Sequence, residues 1–190
     1  MLERVNQLVQ RQATGRNLLV LVIVYCIYFQ IFFFAKVPFG ITAIQPYASH
    51  GGILDVEFFY TSEQAYERLA SFGELGRATY LHILMGDLIY PTLLGSLLAV
   101  SICLIVKRLN PSHASWQYLA LLPLTNMVCD YCENSLLFVL LLSYPTSLPT
   151  IATVAGVATL AKNIVGILSF SALAFGLLVM LVQYLRPRRA

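Results

Sequence analysis

Four stretches of this chain are mostly apolar for long enough to cross a bilayer, which needs about 20 such residues. They run from Asn17 to Val37, from about Ala78 to Val106, from about Ser115 to Ser143, and from about Ile151 to Leu185. The pattern therefore predicts an all-α bundle of four transmembrane helices in a single integral membrane domain, residues 1–190. A lid loop of about 40 residues, 38–77, separates the first two spans. Within that loop Leu54, Val56, Phe58 and Tyr60 alternate with Asp55 and Glu57, which predicts a short strand. Thr61 or Ser62 then caps a helix whose Ala65, Tyr66, Leu69 and Phe72 share one face, suited to lie on the membrane or cap the bundle. Gly73 and Gly76 supply the turn into span two. The Tyr144–Pro149 link is short enough to make spans three and four antiparallel neighbours.

Composition agrees with a membrane class. Of 190 residues, 58% are hydrophobic and 11% charged, against about 25% charged in soluble domains. The net charge of +3 is too small for nucleic-acid binding, and the basic residues sit at segment ends. Arg4, Arg11 and Arg16 precede span one, Lys107 and Arg108 follow span two, and Arg186, Arg188 and Arg189 follow span four. Asp55, Glu57, Glu63, Glu67 and Glu74 lie in the first loop. The positive-inside rule then makes both termini and the Lys107–Ser115 link cytoplasmic and the first loop external. Trp116, Tyr118, Tyr144 and Tyr184 fall near span ends, as interfacial aromatics do. The run after Arg16 does not read as a cleavable signal peptide.

Polar residues inside these spans are the candidate chemistry. At 1.5 Å per residue, Asp87 is ~13 Å below the outer interface, Asp130 ~8 Å and Lys162 ~16 Å. Three separate helices thus bring Asp87, Asp130, Glu133 and Lys162 to one layer in the outer half. Helical phase places Asn126, Asp130, Glu133 and Asn134 on one stripe of span three. Tyr80, Asp87, Tyr90 and Pro91 share a side of span two; Thr159, Lys162, Asn163 and Gly166 share one of span four. Ala152, Ala155 and Gly156 allow close helix approach, and Pro91 and Pro123 are positioned to kink their helices. A charge at a helix centre costs at least ~2.5–3.5 kcal/mol, so two carboxylates would pair with Lys162 and Arg77, and a third could carry a proton.

The layer could hold a lipid head group or small polar molecule, a proton or a cation, or could merely fix helix register. The candidate pocket is Asp87, Tyr90, Asp130, Glu133, Asn134, Lys162, Arg77 and Tyr80. No cofactor and no metal is expected. His82 is ~140° around the helix from Asp87, and His50 and His113 lie on opposite sides, so no histidine cluster forms; a carboxylate-only Mg²⁺ or Ca²⁺ site is the remaining metal option. Cys26, Cys103, Cys129 and Cys132 read as small apolar side chains packed in helices. Four spans with a Cys-x-x-Cys are similar to the quinone-linked thiol oxidoreductases of the vitamin K epoxide reductase and disulfide-bond B type. Those families also use outer-loop cysteines, and this loop has none.

The order Gly73, Gly76, Arg77 and Tyr80, then Asp87, Tyr90 and Pro91, then Asp130, Glu133 and Asn134 resembles a family of small four-span integral membrane proteins of unassigned function. Its pattern is Gly-x-x-Gly-Arg-x-x-Tyr, Asp-x-x-Tyr-Pro and Asp-x-x-Glu-Asn. The resemblance covers roughly a third of the chain and implies a four-helix fold without an activity. The leading expectation is a membrane protein that binds a lipid-like or small polar ligand. The alternatives are an intramembrane enzyme acting on a lipid, with Asp87 or Glu133 as general base, and a structural subunit. Partners would be membrane lipids and the ligand; a homo-oligomer is compatible with the sequence.

Overall fold

The computed structural model describes residues 2–48, 51–109 and 114–185. Among the described residues every regular element is helical: α1 (Leu2–Gln12), α2 (Gly15–Phe34), α3 (Ser62–Ser71), α4 (Gly73–Asp87), α5 (Tyr90–Leu109), α6 (Leu122–Ser143) and α7 (Pro149–Leu185). Three helices are long and apolar enough to cross a membrane: Gly15–Phe34, the α4–α5 unit Gly73–Leu109, and Pro149–Leu185. Their outward faces carry large apolar side chains such as Leu19, Ile27, Ile164 and Leu181. The third expected span is α6. Its 22 residues could cross, but Asn126, Asp130, Glu133 and Asn134 dilute its apolarity below that of the other three.

Several local expectations change. The α1 helix was not anticipated; Thr14 caps α2 by accepting a hydrogen bond from the Asn17 amide. The alternation at 54–60 does not form a strand. Residues Leu54–Val56 make a 3-10 turn instead, which buries Leu54 and Tyr60 while Val56 and Phe58 stay exposed. A strand needs a partner, and none of the described segments offers one. The following helix does form from Thr61, with a full capping box to Gln64. Its Ala65, Leu69 and Phe72 are buried in the main core, so α3 caps the bundle rather than lying on a membrane surface. Gly73, at φ 63°, makes the sharp turn from α3 into α4.

Proline acts differently at its two sites. The helix breaks at Leu88 and Ile89, just before Pro91, whose missing N–H and ring cannot accommodate a helical bond to the Asp87 carbonyl four residues back. Pro123 does not kink α6; it stands in the first turn, where its missing N–H costs nothing. Ahead of it, Ala114–Leu121 is 3-10 helix. The α6 and α7 helices pack most extensively against each other, and α5 packs against α2, α6 and α7. The main core joins α3, α4, α6, the upper part of α7 and the segment between α2 and α4; a smaller one lies at the α1 end around Ala13, Ile102, Cys103 and Ala120.

Candidate functional site

Of the buried polar side chains, Asp87, Asp130, Glu133, Asn134, Thr159 and Lys162 gather between α4, α6 and α7. The α6 helix contributes a stripe, because residues four apart lie one above the other. Asn134 sits at its centre. The Nδ2 of Asn134 donates to Asp87 Oδ2 at 2.7 Å and to Asp130 Oδ1 at 3.2 Å. One amide thus bridges two carboxylates from two helices. Glu133, fully buried, accepts from the Thr159 hydroxyl at 2.5 Å and pairs with Lys162.

Lys162 has a second partner that the sequence did not disclose. Its Nζ donates to Asp55 Oδ1 at 2.7 Å and to the Asp55 backbone oxygen at 3.0 Å. Asp55 belongs to the segment between α2 and α4, which drops onto α7 and carries its carboxylate into the layer. Asn163 fastens the same segment by donating to the carbonyls of Glu57 at 2.9 Å and Phe58 at 3.1 Å. Gly156 makes the approach possible: an added Cβ would stand 2.1 Å from the Tyr60 carbonyl oxygen. Gly156 therefore admits the backbone of this segment.

The predicted residues divide as follows. Asp87, Asp130, Glu133, Asn134 and Lys162 come together. Tyr80 is buried beneath them and accepts from the Asp55 backbone N–H at 3.2 Å, so it positions Asp55. Tyr90 lines the adjacent cavity, stacked on Phe32 and met by Tyr25 at a tilt and by Phe33 edge-on. Arg77 is elsewhere. It donates to the Leu69 carbonyl at 3.0 Å and lies over the Tyr144 ring at 3.9 Å, one turn into α4 and away from the carboxylates. Among the described residues no carboxylate pairs with it, and Asp55 adds a further negative charge to the layer in place of the second cation expected.

Histidine and cysteine take no part among the described residues. His82 is exposed, and His50 and His113 lie outside the described residues. All four cysteines are free. Cys103 packs as expected, but Cys26 and Cys132 are exposed on the outer helix faces, because the Cys132 position falls off the buried stripe of α6.

Beside the layer is a cavity of about 470 Å³. Its polar end is formed by Asp55, Asp87, Asp130, Lys162, Asn126 and Asn163. Its remaining wall is apolar and includes Phe32, Phe33, Leu94, Ile167 and Phe170. Ile167 and Phe170 are about half exposed, so the cavity opens on the outer side of the bundle. Oxygens of Asp55, Asp87 and Asp130 lie within 4.8 Å of one another. On the far side of Glu133, burial holds the Tyr60 hydroxyl above the ordinary tyrosine range, so this side chain is a neutral phenol. Comparison with protein-family models, curated proteins and solved structures gives no match.

Proposed function

We propose that the chain is a four-span integral membrane protein, with cytoplasmic termini and the segment between α2 and α4 as an outer lid, whose pocket binds an amphipathic, lipid-like ligand. The observation that carries this reading is the cavity itself. Charged groups crowd one end, aromatic and aliphatic side chains form the rest, and the volume suits a drug-sized or single-chain ligand. Counting α6 as the fourth span is supported by the burial of its acids inside the bundle, away from lipid. The resemblance to small four-span proteins is in keeping with that count.

Depth supports a lipid ligand. Lys107, at the end of α5, marks the cytoplasmic interface by the positive-inside rule. Asp87 precedes it by twenty residues, a rise of ~30 Å at 1.5 Å per residue, which is about the thickness of the hydrocarbon core. The polar end then stands at head-group level near the outer interface, shallower than the span boundaries alone imply. From Lys162 the cavity descends along α7 to Ser171, ~13 Å further in. A head group at the carboxylates with its chain toward Phe170 fits that course.

A second reading has one observation in its favour. The clustered oxygens of Asp55, Asp87 and Asp130 could share a proton or position a water, as general acid–base chemistry on a bound lipid would require. Lipid extraction and mass spectrometry of the purified protein, beside Asp87→Asn, tests the binding reading. Wild type should retain a stoichiometric lipid that the variant loses. Equal lipid in both, with the variant folded, would overturn it.

A further inference from the structure

Resting on the lipid-binding reading, the geometry points to a ligand with a cationic head: we propose that the pocket takes a primary-amine amphiphile, its ammonium seated between Asp87 and Asp130. Four carboxylates, Asp55, Asp87, Asp130 and Glu133, meet a single ammonium, that of Lys162. Lys162 is already committed to Asp55 and Glu133. Asp87 and Asp130 are left with one shared amide between them. Both are more than nine-tenths buried and both line the cavity. Two such charges held close together repel unless a cation or a proton joins them.

The unused atoms say which kind of ligand is missing. Among the described residues, the second oxygen of Asp87 and that of Asp130 accept no hydrogen bond. The buried Oδ1 of Asn126, on the same cavity, also lacks a partner. All three are acceptors. A primary ammonium brings one positive charge and three N–H donors, which suits two carboxylate oxygens on the cavity and the one buried acceptor, that of Asn126, that is costly to leave alone. An alcohol or an ester head would offer fewer donors and no charge; a phosphate would add negative charge to an acidic site. A bare divalent ion would satisfy the carboxylates but leave the apolar length of the cavity unexplained. Phe32, Phe33 and Tyr90 in the cavity lining add aromatic surface, next to which a cation is favoured.

The test uses three amphiphiles of equal chain length, dodecylamine, dodecanol and dodecanoate, titrated into the protein in dodecyl maltoside. Specific binding is the part removed by Leu94→Trp, which fills the cavity. Wild type should bind dodecylamine at least tenfold more tightly than dodecanol, and dodecanoate more weakly still. In Asp87→Asn/Asp130→Asn the amine preference should fall to within twofold while dodecanol binding persists. If amine and alcohol bind wild type equally and Leu94→Trp removes both, the cationic inference fails and the lipid reading stands. If no probe shows binding that Leu94→Trp removes, both fail. Magnesium or calcium chloride displacing dodecylamine at micromolar concentration would make the site one for a bare metal ion and overturn the amine assignment. Should the double variant not fold, the wild-type preference alone decides.

Discussion

Lys162 holds the polar layer together at the scale of single residues, because one ammonium ties Asp55 of the lid to Glu133 of α6. Removing one partner of a buried pair costs about 3–5 kcal/mol, since the other charge stays behind in a dry site. Lys162→Met should therefore destabilise the protein by about that much, and adding Glu133→Gln should recover part of the loss. Unfolding titrations on the two single variants and the double variant check this; strictly additive effects would mean the pair is not coupled. Thr61→Ala should cost about 1 kcal/mol through loss of the α3 cap. The residues of the α6 stripe were legible in the sequence because helical period alone puts Asp130, Glu133 and Asn134 on one face. Asp55 was not. Its neighbours alternate with period two, and nothing local reports that the segment folds back onto α7. Arg77 was expected to pair with one of the layer's carboxylates, but its position in α4 turns it toward Leu69 and Tyr144.

Among elements, the joint that matters most is the lid against α7. It depends on Gly156, where any side chain would run into the Tyr60 carbonyl, and on Asn163, which binds two lid carbonyls. Gly156→Ala should lift residues 53–60 from α7 and draw Asp55 away from Lys162. Hydrogen exchange at these amides should speed up by at least tenfold; unchanged exchange would show that the lid does not depend on this contact. The helices themselves were readable from unbroken apolar runs, and the break before Pro91 from the proline. The start of α6 was not, because Ala114–Leu121 has the same apolar character as a span yet winds as 3-10 helix. Its rise of ~2.0 Å per residue carries Asp130 further from Ala114 than an α-helix would.

For the whole molecule, the proposed topology puts the charged layer at the outer head-group level and both ends of the chain in the cytoplasm. A cysteine at Glu74, which is exposed at the start of α4, should react with a membrane-impermeant maleimide on intact cells. One at Glu3, in α1, should react only after lysis. The reverse pattern would invert the topology and put the pocket at the inner face. Site-resolved photo-crosslinking tests most directly whether the cavity between the layer and α7 holds a lipid-like ligand, as proposed. A fatty-acyl lipid carrying a photoreactive group on its chain should label α7 at residues 162–171 and α5 near Leu94, and Leu94→Trp should abolish that labelling. Labelling spread over the outward apolar faces, such as Leu177 and Leu181, and indifferent to Leu94→Trp would contradict it.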